Sequence, residues 1–199
     1  MSLLIACDPG HPSYEGDHGG GTSPCGRIVE CDYTMHIARM LNTSLESEHD
    51  IGLHLLRTRN DEVVSLKERG NRASYANADL VLSIHVNSAP SPSWSGGIIF
   101  YWPGNAIGAK VAEQIAHSWP ASLRRDPPRV EKADPHMYPG VWAVLGAYEQ
   151  TAVLAECGFA TNRHDVDLLV EPTVQEQIVG ALRQGIHRFK QISEIPSLE

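Results

Sequence analysis

The sequence is poor in features that would tie a chain to a nucleic acid, a membrane or a disulfide framework. Its 16 Lys and Arg against 24 Asp and Glu leave a net charge of -8, whereas non-specific nucleic-acid binding needs a basic surface. No apolar run reaches the roughly 18 residues of a membrane span. The start, "MSLLIACDPGH", lacks the charged beginning and long apolar stretch of a signal peptide, so this chain is expected to carry no export address of its own. The four cysteines, Cys7, Cys25, Cys31 and Cys157, form no CxxC pair. Two of them sit in apolar runs, where a thiol packs as a small hydrophobe. Unpaired thiols are expected, with a Cys25–Cys31 disulfide as the alternative. Glycines 16, 19, 20 and 21 make a permissive loop, but no GK[ST] follows, which argues against a phosphate cradle.

What is present is a core-forming chain. Hydrophobic residues make up 42% of 199 positions and charged ones 20%, the balance of a folded globule. This length predicts one domain, here residues 1–192 with a tail over 193–199. Apolar runs at 3–7, 51–58, 79–85, 97–102 and 151–159 read as strands. Between the first two, Tyr33, Ile37, Leu41 and Leu45 recur four apart in a helix over 30–46. "SLKE" (65–68) is a capping box, with Ser65 as N-cap of a helix running to about Tyr75. Further helices are expected over 106–118 and 173–192, the last with Ile178, Leu182, Ile186 and Phe189 on its core face. The stretch 120–139 holds five prolines and reads as a long irregular loop bordering a binding site. Unbroken apolar strands alternating with helices predict an α/β domain, a mostly parallel twisted sheet with helices on both faces. In such sheets the active site lies at the carboxyl ends of the strands.

Three of these strands end on an ionisable side chain. His11 follows the first, His85 closes "LVLSIH", and Glu156 stands near the end of "AVLAE". Glu30 is a fourth member, because it shares the stripe of Tyr33, Ile37 and Leu41 that should face the core. A carboxylate there is costly unless something cationic meets it, and a helix N-terminus supplies only about 0.3–1 kcal/mol. Each residue alone has an ordinary reading as a surface histidine, a helix-dipole partner or an arginine partner. Together, two imidazoles and a carboxylate make a common ligand set of catalytic zinc with one position left open. Glu156 then fits as the carboxylate that takes a proton from water and hands it to a leaving amine. Asp17 and His18 could also reach a metal but are expected to be solvated, and Cys157 is expected to pack rather than to attack.

On these residues the chain resembles the zinc-dependent N-acetylmuramoyl-L-alanine amidases of the Amidase_3 type. "IACDPGHPSYEGDHGG" looks like that family's strand, D-x-GH and Gly-rich loop, although "PSYE" interrupts the glycines. "RIVECDYTMHIARML" looks like its ligand-bearing Glu at the start of the first helix. "RTRNDEVVSLKERGNRASYANADLVLSIHVNSA" is similar to its Thr-Arg…Asp…S-L-x-x-R…S-I-H-x-N block, with Thr58-Arg59 to Asp61 one residue short. "AVLAECGFATN" is similar to its catalytic-Glu strand. The resemblance implies one zinc per chain held by His11, Glu30 and His85, with Glu156 as catalytic carboxylate. It implies hydrolysis of the amide joining N-acetylmuramic acid to L-alanine in peptidoglycan or muropeptides, by a monomer acting at the cell wall. That wall would be reached by lysis-type release or through a leader absent from this sequence. Two alternatives accompany it: a zinc amidohydrolase of soluble muropeptides or N-acyl amino acids, and a non-catalytic wall-binding module. The stretch 120–148 matches weakly, which places any difference in substrate preference there.

Overall fold

The structure, a computed structural model, describes residues 2–11, 20–125 and 127–194. Gly16, Asp17, His18 and Gly19 lie outside the described residues. The chain runs β1 (Leu3–Pro9), α1 (Glu30–Leu45), β2 (Ile51–Leu55), α2 (Leu66–Tyr75), β3 (Leu80–Asn87) and β4 (Ile98–Tyr101). It continues through α3 (Ala106–Ser118), β5 (Val130–Lys132), α4 (Pro139–Leu145), β6 (Thr151–Phe159), α5 (Arg163–Leu169) and α6 (Pro172–Ser193). Six strands form one sheet in the order β2-β1-β3-β6-β4-β5. β2, β1, β3 and β6 are mutually parallel. β4 runs antiparallel to β6 and parallel to β5, so the parallel sheet ends in a reversed two-strand edge.

Strand periodicity sorts the core into two layers, because successive side chains point to opposite faces. Ile5, Cys7, Leu82, Ile84, Val153, Ala155 and Cys157 pack with α1, α3, α5 and α6. Ala6, Val81, Ala152 and Leu154 pack on the other face, over Ala73 of α2 and Leu145 of α4. The expected stripes Tyr33–Ile37–Leu41–Leu45 and Ile178–Leu182–Ile186–Phe189 are all buried in the first layer. Each fully buried Leu, Ile or Phe of this kind contributes about 1.5–3 kcal/mol. Ser65 caps α2 as expected, its Oγ accepting from Glu68 N at 3.2 Å. None of the four cysteines is in a disulfide; three are buried and Cys25 is exposed. Among the described residues no helix is long and apolar enough to cross a membrane.

The expectation of an irregular 120–139 is corrected. β5 lies inside that stretch and α4 begins at its end. β5 is three residues long and pairs with β4 alone, so it takes its strand conformation from a partner distant in sequence. Pro127 and Pro128 precede it, where an edge strand tolerates a missing N–H. α4 and α5 also escape sequence periodicity, since seven residues make barely two turns.

Candidate metal centre

The same period of two brings the polar residues together. In β1, β3 and β6, the residues whose parity matches Ala6, Val81 and Leu154 are Asp8, Ser83, His85 and Glu156, all on the α2/α4 face. Parallel register sets His85 opposite Glu156 and Ser83 opposite Asp8. α1 covers the other face, but its first residue, Glu30, reaches over the carboxyl ends of the strands. It is 4% exposed. Glu30 Oε1 lies 3.0 Å from His85 Nδ1 and accepts from Val86 N at 3.0 Å, while Oε2 accepts from Gly21 N at 2.7 Å. His11 Nε2 is 3.6 Å from Glu30 Oε1. One ligand atom from each of His11, Glu30 and His85 falls within 4.8 Å of the others, a spacing that could hold a metal ion.

Local backbone serves this convergence. His11 adopts φ 49°, a left-handed conformation uncommon for a residue with a side chain and found disproportionately at functional sites. Its ring stands edge-on to that of His85, centroids 5.1 Å apart. A Cβ on Gly10 would sit 2.5 Å from the His85 ring, and one on Gly20, at φ +84°, would sit 2.5 Å from Glu30 Oε2. Both glycines are therefore required by close approach to the site.

Electrostatics separate the carboxylates. Burial works to raise the pKa of Glu30, but the hydrogen bond and charge of His85 and the charge of His11 outweigh it, and the net shift is downward. Burial likewise works to lower the pKa of His85, and Glu30 reverses it. Glu156 has no such donor. Burial raises its pKa to about 8, against the pull of His85 and with the push of Glu30. Among the described residues, its Oε2 and the Nε2 of His85 are buried without a hydrogen-bond partner. Unpaired buried polar atoms are costly and call for a ligand, an ion or water. The pair thus fits a centre built around something the protein alone does not supply.

Several residues around this centre were not legible as such. Asp8 accepts from Ser83 Oγ at 2.9 Å and Tyr148 Oη at 2.7 Å, and it pairs with the Arg69 guanidinium. Arg69 Nη1 also donates to Pro9 O at 2.8 Å. The signal for Asp8 and Ser83 was their polarity inside the apolar runs "ACD" and "VLSIH". Thr58-Arg59 and Asp61 form no part of the buried network: Arg59 is exposed and pairs with Asp61 at 3.0 Å. Glu62 instead accepts from Thr58 N at 2.9 Å and pairs with Arg72 at 2.6 Å. The acidic residue that organises this loop therefore stands one position beyond Asp61, which makes up the missing residue in the spacing.

A groove of about 850 Å³ opens onto the triad and Glu156. Its far wall is apolar, with Leu66, Trp94, Met137, Tyr138, Val141 and Phe159 among its lining. Trp94 tilts against Phe159, centroids 6.2 Å apart, and Arg129 lies 5.3 Å over the Trp94 ring.

A parallel α/β sheet that gathers a His–Glu–His cluster and a protonatable carboxylate at its strand ends defines the class, a hydrolase domain with a candidate metal centre. Residues 5–188 match the N-acetylmuramoyl-L-alanine amidase family, and the chain belongs to it. It is 26% identical over 201 residues to the germination-specific N-acetylmuramoyl-L-alanine amidase of Bacillus subtilis (strain 168), covering 94% of this chain and 79% of that one. To N-acetylmuramoyl-L-alanine amidase LytC of the same organism it is 32% identical over 183 residues, covering 91% of this chain but 34% of LytC. The crystal structure of N-acetylmuramoyl-L-alanine amidase from Clostridium difficile 630 superposes with a TM-score of 0.81 at 26% identity, over 96% of this chain and 97% of that one.

Proposed function

We propose that this domain hydrolyses the amide between N-acetylmuramic acid and L-alanine of the peptidoglycan stem peptide, with zinc held by His11, Glu30 and His85 and with Glu156 as the catalytic carboxylate. The observation that carries the reading is the 4.8 Å clustering of the three ligand atoms beside a carboxylate set opposite His85. Two imidazoles and one carboxylate suit zinc, which accepts mixed nitrogen and oxygen donors in a catalytic site. When bound, zinc supplies Lewis acidity, polarising a carbonyl oxygen and acidifying water.

The chain's own residues do the rest. Glu30, fixed by the N–H groups of Gly21 and Val86, holds its carboxylate toward both imidazoles. Glu156, with a pKa lifted to about 8 by burial, is suited to both halves of a proton transfer near neutral pH. It accepts the proton of the attacking water and delivers it to the L-alanine nitrogen as the C–N bond breaks. The nitrogen leaves as a free amino group and the lactyl carbonyl becomes a carboxylate. The apolar wall through Trp94 and Phe159 positions the substrate chain and keeps water from its flank. The site of action that follows is the cell wall, on its periplasmic or extracellular side.

The test is mass analysis of products released from purified peptidoglycan. Stems with a free L-alanine amino terminus and glycan without new reducing ends are expected. New reducing ends, or stems cut between amino acids, would overturn the reading.

A further inference from the structure

Arg57 heads the largest side chains that are fully buried, with 0% exposure. Its hydrogen-bond partners are amide oxygens. Nη1 donates to Arg59 O at 2.7 Å and Asn60 Oδ1 at 3.5 Å, and Nη2 donates to Gly10 O at 3.1 Å and Cys31 O at 3.4 Å. Nε has no partner. A buried cation held in this way is an expensive means of filling space, since apolar replacements of buried charges are often neutral or stabilising.

The carbonyls it bridges suggest what the cost secures. Gly10 C=O belongs to the peptide that leads into His11, and Cys31 C=O belongs to the residue after Glu30, in the first turn of α1. One guanidinium therefore ties together the backbones of two of the three candidate ligands, which come from a strand end and a helix start. Thr34 Oγ1 lies within reach of the same two carbonyls, at 3.0 Å from Gly10 O and 3.4 Å from Cys31 O, and its one proton can be donated to either. His11 also needs such a clamp, because its left-handed backbone costs about 1–3 kcal/mol and persists only where the surroundings over-determine it.

We infer that Arg57 is a positioning residue that sets the spacing of His11 and Glu30, and through it the affinity of the centre for its metal. This rests on the zinc reading above. Folding is expected to depend on Arg57 less than the centre does. Without the guanidinium, Gly10 O keeps the Thr34 hydroxyl at 3.0 Å, and Arg59 O lies in an exposed loop.

The experiment measures zinc affinity of the full chain by competition with a chromophoric chelator, alongside thermal unfolding of the metal-free protein. Arg57→Met fills similar volume without the bridge, and Arg57→Lys keeps the charge but lacks the planar fork. Both are expected to weaken zinc binding by about 10- to 100-fold, the range for residues that orient metal ligands, with metal-free unfolding little changed. Thr34→Val, which removes one donor to the same carbonyls, is expected to weaken it less. Zinc affinity of Arg57→Met within about twofold of the wild type, well below that range, overturns the inference. So does a loss accompanied by an equivalent loss of metal-free stability. If Arg57→Met does not fold, Thr34→Val decides, and unchanged zinc affinity there overturns it. Failure of the zinc reading itself looks different: the wild type binds no zinc, or His85→Ala binds it equally well, and both conclusions fall.

Discussion

The four parallel strands and the reversed edge of the same sheet do different work. β1, β3 and β6, with the start of α1, bring His11 and Glu156 beside Asp8, Glu30 and His85, the last three held in buried hydrogen bonds. The edge of β4 and β5, with α4 and the loop through Trp94, carries none of these groups and contributes an apolar wall to the groove. Chemistry needs atoms held to a fraction of an ångström, which parallel register and buried polar networks provide. Recognition of an extended polymer needs surface, which short elements on an open edge provide at less structural cost.

The largest effects should therefore fall in the parallel half. His85→Ala is expected to abolish zinc retention, while elemental analysis of the wild type is expected to give about one zinc per chain. Full occupancy in that variant would remove His85 from the ligand set. Since ligating imidazoles must be neutral and Glu30 raises the pKa of His85, zinc affinity should also weaken as pH drops, with the onset above the ordinary histidine value of about 6.5. Glu156→Gln keeps shape and zinc but cannot shuttle a proton, so turnover should fall by at least ~10²-fold. Near wild-type hydrolysis of peptidoglycan by this variant would sink the role given to Glu156.

Substitution in the edge half should change binding more than chemistry. Trp94→Ala is expected to lower kcat/KM by roughly tenfold, ~1.4 kcal/mol, through KM with kcat largely spared. A fall in kcat alone would erase the distinction between the halves.

A smaller effect concerns the loop that follows β2. The Thr58 N–H and the Arg72 guanidinium hold Glu62 down to about 2, against the opposing effect of burial. A depressed carboxyl pKa contributes stability above its unfolded value of about 4.5, and that contribution is lost as pH falls through about 2. Glu62→Gln should lower Tm by about 2–4 °C at pH 6, for ~1 kcal/mol, and the gap should close toward pH 2. A gap that stays constant with pH would mean that packing, not charge, is at work. Smallest is the expected bias in limited tryptic digestion. First cuts should fall at Arg124, Arg125 or Lys132, beside the three-residue strand that pairs on one side. First cuts at Arg69, within the parallel half, would contradict the contrast.

How much could be read beforehand depended on the range of the physics involved. Glu30 was legible because a carboxylate on the stripe of Tyr33, Ile37 and Leu41 breaks a helical pattern, and its burial confirms the stripe. His85 and Glu156 were legible because they end apolar strands. β5 and α4 were not, because three and seven residues carry too little periodicity and take their conformation from β4 and the groove wall. Arg57 was hidden for another reason. In "LHLLRTR" two arginines stand two apart, and nothing local tells which is fully buried and which is solvated.

By itself the sequence determined the α/β alternation, the faces of α1 and α6, and the two histidines and two glutamates offered at three strand ends and one helix start, all consequences of local periods of two and 3.6 residues. The tertiary structure alone decided that His85 stands opposite Glu156, that Glu30 reaches the His85 ring, and that Arg57 clasps Gly10 and Cys31. Those contacts join residues 26 to 71 positions apart. No local pattern encodes them, because they exist only once strand register and the docking of α1 are set by burying the core.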